Sequence, residues 1–302
     1  MKILCFGLCF SLAYILVLPI WVKLMPKPFK KNIQFVESDV LYYSAEELKE
    51  TKNVDILFIG SSHVYRGVDP RLFESAGFKI FGLGTSGQTH EQTEVLLKRY
   101  LDQLNPRLIA YEVYPLLFGY DGTGSSISLL GSLDMQEDFY PLVEEHFSLK
   151  MLNSLIYAKI SELIPFFRNT KLIANKSESY IGSGFIEEKN KPGYTSQPIQ
   201  AFNWSFYDYQ VDAFKRNLEL IQDQGIPVLL YKAPVTKHYE SSVLNEVTFD
   251  SLMQTTNVPY FNFSPSDLLV DTLHFYDKDH MNFEGVQIFN KELMDSLSHY
   301  LN

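Results

Sequence analysis

Beyond Cys9 the chain contains no cysteine, and its only two, Cys5 and Cys9, both lie in the first apolar segment. A disulfide framework or a cysteine metal site in the body of the protein is thereby excluded. An excess of positive charge is also missing: 26 Lys and Arg stand against 36 Asp and Glu, for a net charge of -10. Nucleic-acid binders normally carry a basic face, so that class is set aside. The chain has no internal repeat and no low-complexity tract, which argues against a solenoid. What remains is 302 residues that are 46% apolar and 21% charged, enough to bury a sizeable core in one large domain or two small ones.

The long uncharged run lies at the N-terminus. Ile3 to Val22, "ILCFGLCFSLAYILVLPIWV", is about the length a helix needs to cross the roughly 30 Å hydrocarbon core of a bilayer. A secretory signal peptide has a shorter apolar region and a small-x-small cleavage site, and none follows here. "FGLC" is a poor match to a lipoprotein signal. The run therefore reads as an uncleaved signal-anchor over 1–23, with a cleaved signal peptide as the alternative. Residues 24–53 follow as a polar, Lys- and Pro-containing stalk. Lys23, Lys27, Lys30 and Lys31 come after the run and only Lys2 before it. By the positive-inside rule that asymmetry places the body of the chain in the cytoplasm.

From residue 54 apolar strands alternate with amphipathic helices. "VDILFIG" (54–60), "KIFGLG" (79–84), "RLIAYEV" (107–113), "IPVLLYKA" (226–233) and "VPYFNF" (258–263) read as strands buried on both faces of a parallel sheet. Helices fit 91–104, 208–224, 240–256 and 283–300. This alternation predicts a three-layer α/β sandwich over 54–302, with right-handed crossovers. Residues 116–206 break the rhythm. They contain a helical piece over 139–167 and are too long for a bare loop, so they read as an inserted cap.

In such a sheet, functional groups collect at the carboxyl ends of the strands. Ser61, Ser62 and His63 follow the first strand, "GTSG" (84–87) the second and "EVYP" (112–115) the third. The tail "YDKDHMNFEGVQIF" (276–289) opens the last helix. Serine hydrolysis needs a base for the hydroxyl, an orienting partner for the base, and donors for the oxyanion. In a compact turn, Asp277 faces one ring nitrogen of His280 while the other points to Ser62. Backbone N–H groups at the helix start and at Gly87 are the candidate oxyanion donors.

Each of these residues has a plainer role open to it. Ser62 or Ser61 can serve as a helix N-cap, His280 as a surface histidine before an Asn282 cap, and Gly87 as a turn glycine. "DTLH", Asp271 to His274, repeats the Asp-x-x-His spacing in loop-like surroundings. Asp279 reads as solvated. His63 and His90, with Asp277 and His280, form a second possibility: a divalent metal site of no standard spacing. The aromatic run 202–209, "FNWSFYDY", is either core packing or the roof of a carbohydrate cleft.

In order along the chain, "IGSSH", "GTSGQT" and "YDKDHMNFEGVQIF" resemble the first, second and last blocks of the SGNH (GDSL-like) hydrolase family. The resemblance covers about 54–115 and 208–300 and leaves out the insertion. It implies a flavodoxin-like α/β fold, Ser62 as nucleophile, His280 as base, Asp277 as its partner and Gly87 as an oxyanion donor, with no cofactor and no metal. The single anchor and the Gly-Ser-Ser start are similar to the membrane-anchored envelope branch, which includes the teichoic acid D-alanylation protein and polysaccharide O-acetylation proteins. That branch implies an extracytoplasmic domain, against the lysine count. It also implies an acylated polysaccharide or small ester as substrate, and a membrane-bound acyl donor protein as partner. The family's third block supplies an oxyanion Asn. Here "EVYPLLF" has none, so the Tyr114 hydroxyl or another backbone N–H is the expected replacement. Losing such a donor costs about 100- to 1000-fold in rate. The missing Asn keeps a degenerate, non-enzymatic binding or assembly module open as a second function, and the histidine cluster a metal-dependent phosphoesterase as a third.

Overall fold

The computed structural model describes residues 2–30, 32–33, 40–133, 139–167, 178–189 and 193–301. Parts of the expected stalk (31, 34–39) and of the expected cap (134–138, 168–177, 190–192) lie outside the described residues.

The chain opens with helix α1 (Lys2–Leu24) and α2 (Val40–Glu50). Strand β1 (Ile56–Gly60) leads through α3 (Ser62–Gly67) and α4 (Pro70–Ser75) to β2 (Ile80–Gly84). Next come α5 (His90–Leu104), β3 (Leu108–Glu112), α6 (Thr123–Ser132), α7 (Tyr140–Glu145) and α8 (Leu149–Leu163). A hairpin follows, β4 (Glu178–Gly182) and β5 (Phe185–Glu188), then α9 (Asp208–Asp223) and β6 (Val228–Lys232). The chain closes with α10 (Lys237–Glu240), α11 (Glu246–Gln254), β7 (Tyr260–Asn262), α12 (Asp271–His274) and α13 (Phe283–Leu301).

β1, β2, β3, β6 and β7 form one parallel sheet in the order β2-β1-β3-β6-β7. This is the doubly wound arrangement, with its switch point between β1 and β3. Successive side chains of a strand point to opposite faces, and both faces are covered. Leu57, Ile59, Ile109 and Leu230 pack with Leu96 of α5, Phe214 of α9 and Phe249 of α11. Ile56, Phe58, Leu108 and Leu229 pack with Val64 of α3 and with Val286, Phe289 and Leu293 of α13. Burial on both sides is why these strands read as unbroken apolar runs.

Three elements differ from the sequence expectation. Residues 40–50, read as stalk, form α2, whose Leu41 and Leu48 join the core beside α5. Their spacing makes one apolar stripe, which the polar residues between them conceal. The helix expected over 240–256 is shortened to α11, since residues 241–245 are not helical and Asn245 accepts the Trp204 N–H at 2.7 Å and donates to its carbonyl at 3.0 Å. The helical piece expected over 139–167 is two helices. Ser148 starts the second by accepting the Met151 N–H at 3.0 Å.

Within 116–206, α6 packs on α8 and α2, while the β4–β5 hairpin covers the free edge of β2. There the Gly82 N–H donates to Ser183 O at 2.9 Å, which satisfies an otherwise exposed sheet edge. Arg66 of α3 ties the hairpin down through Glu178 at 2.9 Å. Helix α1 is long and apolar enough to cross a membrane, and a signal sequence would pass the same test. Most of it is exposed; Leu18 and Val22 pack against Ile156 and Tyr157 of α8.

Candidate active site

β1 ends at Gly60 and the chain turns at once into α3. Ser61 is the N-cap, its hydroxyl accepting the His63 N–H at 3.2 Å. Ser62 is thus the first residue of the helix, and the capping role belongs to its neighbour. Two close approaches make this turn tight. A Cβ on Gly84 would lie 2.5 Å from the Ser61 carbonyl oxygen, and one on Gly60 would lie 2.6 Å from Glu112 Oε2. Glu112, at the end of β3, is buried; its carboxylate accepts the Ser61 N–H at 2.8 Å and faces His63 Nδ1 at 3.2 Å.

The second half of the site is the loop between Phe275 and Met281, which are joined by a β-bridge. Asp277 Oδ1 accepts the backbone N–H groups of Asp279 at 3.0 Å and of His280 at 2.7 Å. These bonds fold the loop back on itself and bring the Asp277 carboxylate to 3.0 Å from His280 Nδ1. Asn282 then caps α13 by accepting the Gly285 N–H at 3.0 Å. On the other side of the ring, His280 Nε2 lies 2.9 Å from Ser62 Oγ. The structure therefore brings Ser62, His280 and Asp277 into one hydrogen-bonded line at the switch point of the sheet.

Burial disfavours the charge on His280, but hydrogen bonds to Asp277 and Asp279 and their negative charges outweigh it. The ring's pKa is raised to about 9. With Nδ1–H held by a carboxylate, the neutral ring offers the Nε2 lone pair to the serine proton.

Asp279 is not solvated. It is 9% exposed, and its Oδ2 accepts the Tyr114 hydroxyl at 2.9 Å. Its burial would raise its pKa, but the hydrogen bond and charge of His280, together with His63 and the Tyr114 hydroxyl, hold it below the usual carboxylate range. This bond corrects the expectation for Tyr114. A phenol has one proton, and here it goes to Asp279, so it does not serve as the replacement oxyanion donor in this arrangement. Burial, then the nearby Asp279 charge, pushes the Tyr114 phenol well up. Gly87 sits in the turn after β2 with φ +63°, a conformation that suits glycine, and a Cβ there would meet the Tyr120 ring at 3.8 Å.

The competing candidates are occupied elsewhere. His274 Nδ1 accepts the Val270 N–H at 2.9 Å, and Asp271 accepts N–H groups of Lys237 and His238. The two do not pair. His90 is buried against Phe118 and Phe214, bonds the Tyr111 hydroxyl at 2.7 Å and has its pKa lowered to about 3 by burial. It belongs to the core, so the four-residue metal cluster is not assembled. In the aromatic run, Phe202 and Trp204 pack with Tyr114 and Tyr239, which is core packing beside the site.

Sequence reading gave Glu112 no role and took Asp279 as solvated. Glu112 left a signal: it is the lone acid at the end of an apolar strand, and a buried acid there needs partners. Asp279 left none, because an acid in a charged loop ordinarily faces water.

No protein-family model and no curated protein matches the chain. Among solved structures, it is similar to a provisionally named acylhydrolase from Bacteroides fragilis NCTC 9343. Identity is 14%, coverage 86% of this chain and 96% of that one, and the TM-score 0.45. A GDSL-like lipase from Bacteroides thetaiotaomicron VPI-5482 shows 14% identity, 87% and 98% coverage and a TM-score of 0.42. A Clostridium thermocellum family 3 carbohydrate esterase shows 10% identity, 83% and 98% coverage and a TM-score of 0.39.

Proposed function

We propose that this chain is a serine-dependent acyl-ester hydrolase or acyltransferase of SGNH type. The observation that carries the reading is the 2.9 Å contact of Ser62 Oγ with His280 Nε2, whose Nδ1 lies 3.0 Å from Asp277. In the first step Ser62 Oγ attacks the acyl carbonyl and its proton passes to His280 Nε2. Asp277 stabilises the imidazolium. Backbone N–H groups at Gly87 and at the start of α3 receive the oxyanion. The tetrahedral intermediate expels the alcohol, which takes the proton from His280 and leaves an acyl-Ser62 ester. Water or a second hydroxyl then repeats the sequence in reverse. Release to water makes the protein an esterase, and release to a sugar or polyol makes it an acyltransferase.

Residues 1–23 anchor the protein on the extracytoplasmic side, 24–53 lead from the anchor to the domain and add α2 to its core, and 54–302 carry the site, with 116–206 inserted beside it. Acylated envelope polysaccharide is the substrate class, and a membrane-bound protein supplies the acyl group if the reaction is transfer. The test is labelling by a fluorophosphonate probe together with hydrolysis of acetyl esters. Labelling of the native protein and its loss in Ser62→Ala support the reading, and chelator-sensitive activity without labelling overturns it. A degenerate binding module is the second reading. It is favoured by the Tyr114 hydroxyl, which bonds Asp279 and so does not stand in for the missing Asn. Inactivity toward every acyl substrate and probe would select it.

A further inference from the structure

His280 Nδ1 has one proton and two carboxylates within reach. Asp277 Oδ2 stands at 3.0 Å and Asp279 Oδ1 at 3.3 Å. The two acids differ in their surroundings: the Asp277 side chain is 44% exposed and that of Asp279 12%. Water screens the first, while the second acts through a medium of lower dielectric, where a charge at the same distance counts for more. Asp279 is also held in place. Tyr114 donates to its other oxygen at 2.9 Å, and the Tyr239 hydroxyl lies 3.3 Å from that of Tyr114. Tyr239 is fixed in turn by its N–H bond to Thr236 Oγ1, the N-cap of α10.

We propose that Asp279 is a second positioning residue for His280, held by the Tyr114–Tyr239 pair and acting through its charge 3.3 Å from Nδ1, while Asp277 accepts the Nδ1 proton. The ring then stands between an exposed acid that takes its proton and a buried acid whose charge adds to its proton affinity. The remaining groups around the ring do not cancel this effect. From α3, the His63 ring lies 5.4 Å away with Glu112 behind it. Tyr276 stacks on His280 at 5.7 Å, and Arg66 acts on Tyr276 from beyond. The Lys278 ammonium lies over the Tyr239 ring, 4.4 Å from its centroid. Ser62 is neutral.

The proposal concerns the same site as the esterase reading, but its test needs no substrate, so the two can fail separately. The experiment is an NMR titration of the imidazole nitrogens of the detergent-solubilised full chain, with the His280 signal assigned by its absence in His280→Gln. In Asp279→Asn the His280 pKa should fall by at least about one unit, as expected when a carboxylate at this distance is neutralised. In Asp277→Asn, whose amide oxygen can still accept the Asp279 and His280 N–H groups that close the loop, Asp279 alone should keep the His280 pKa at least about one unit above the ordinary value. An unchanged pKa in Asp279→Asn overturns the proposal. So does a return to about 6.5 or below in Asp277→Asn, and this second measurement decides the matter if Asp279→Asn fails to fold.

Discussion

His280 Nε2 lies 2.9 Å from Ser62 Oγ although 218 residues separate the two in sequence. The first stands in a loop ahead of the last helix, the second at the end of the first core strand. Only the parallel sheet, with β1 at its switch point, brings those two places together.

Ser62, His280 and Asp277 should therefore behave as one unit. Ser62→Ala and His280→Ala should each lower kcat/KM for an acetyl ester by about 10,000-fold or more, and the double variant should be little worse than either. His274→Ala, in the other Asp-x-x-His pair, should keep most of the activity. Full activity in Ser62→Ala would remove the nucleophile assignment. Loss in His274→Ala with retention in His280→Ala would move the site.

The pH dependence follows from the charge on His280. The ring accepts the serine proton only when neutral, and its pKa is raised to about 9. kcat/KM should therefore rise from pH 6 upward and level off only near or above pH 9. Stability runs the opposite way. The folded value lies above the ordinary 6.5, so the stabilisation from the protonated ring is fully present below about 6.5 and is lost as pH rises through about 9. A pH–rate profile levelling off near 6.5, or thermal melts that gain stability over the same range, would contradict this.

Gly84 has no room for a side chain. Its Cβ would meet the Ser61 carbonyl oxygen at 2.5 Å and Val64 Cβ at 2.7 Å. Gly84→Ala should push the start of α3 outward, costing about 1–3 kcal/mol of stability. The displaced Ser62 should lower kcat by about 100-fold, the penalty of a misplacement near 1 Å. Urea titration and kinetics on the variant check both effects, and wild-type kcat would show that the turn is less tightly packed than this.

The N-terminal segment should stay attached and hold residues 54–302 outside the cytoplasm. Mass spectrometry of the mature protein should find residues 1–23 intact, and protease added to intact cells should digest the domain. Full protection would place it in the cytoplasm, on the side that Lys23, Lys27 and Lys30 favour by charge.

Strands β1, β2, β3 and β6 were legible because they are buried on both faces and so are apolar along most of their length, while β7, at the sheet edge, is half-buried and ends on the exposed Asn262. That pattern is local and survives in the sequence. The pairing of Asp277 with His280 was legible for a similar reason: three residues apart, they meet in one turn whose backbone the Asp277 carboxylate itself closes. What lay hidden was decided between elements. Helix α2 looks like a polar linker until Leu41 and Leu48 are seen against the core. Tyr114 looks like a free hydroxyl until Asp279, far along the chain, accepts its hydrogen bond. Asp279 itself is an ordinary acid in a charged loop, and only the approach of β3 and α10 removes it from water. Local spacing therefore determined which residues could do the chemistry. Tertiary packing decided which acids face the imidazole and how strongly, because burial and the distance between charges are properties of the folded chain alone.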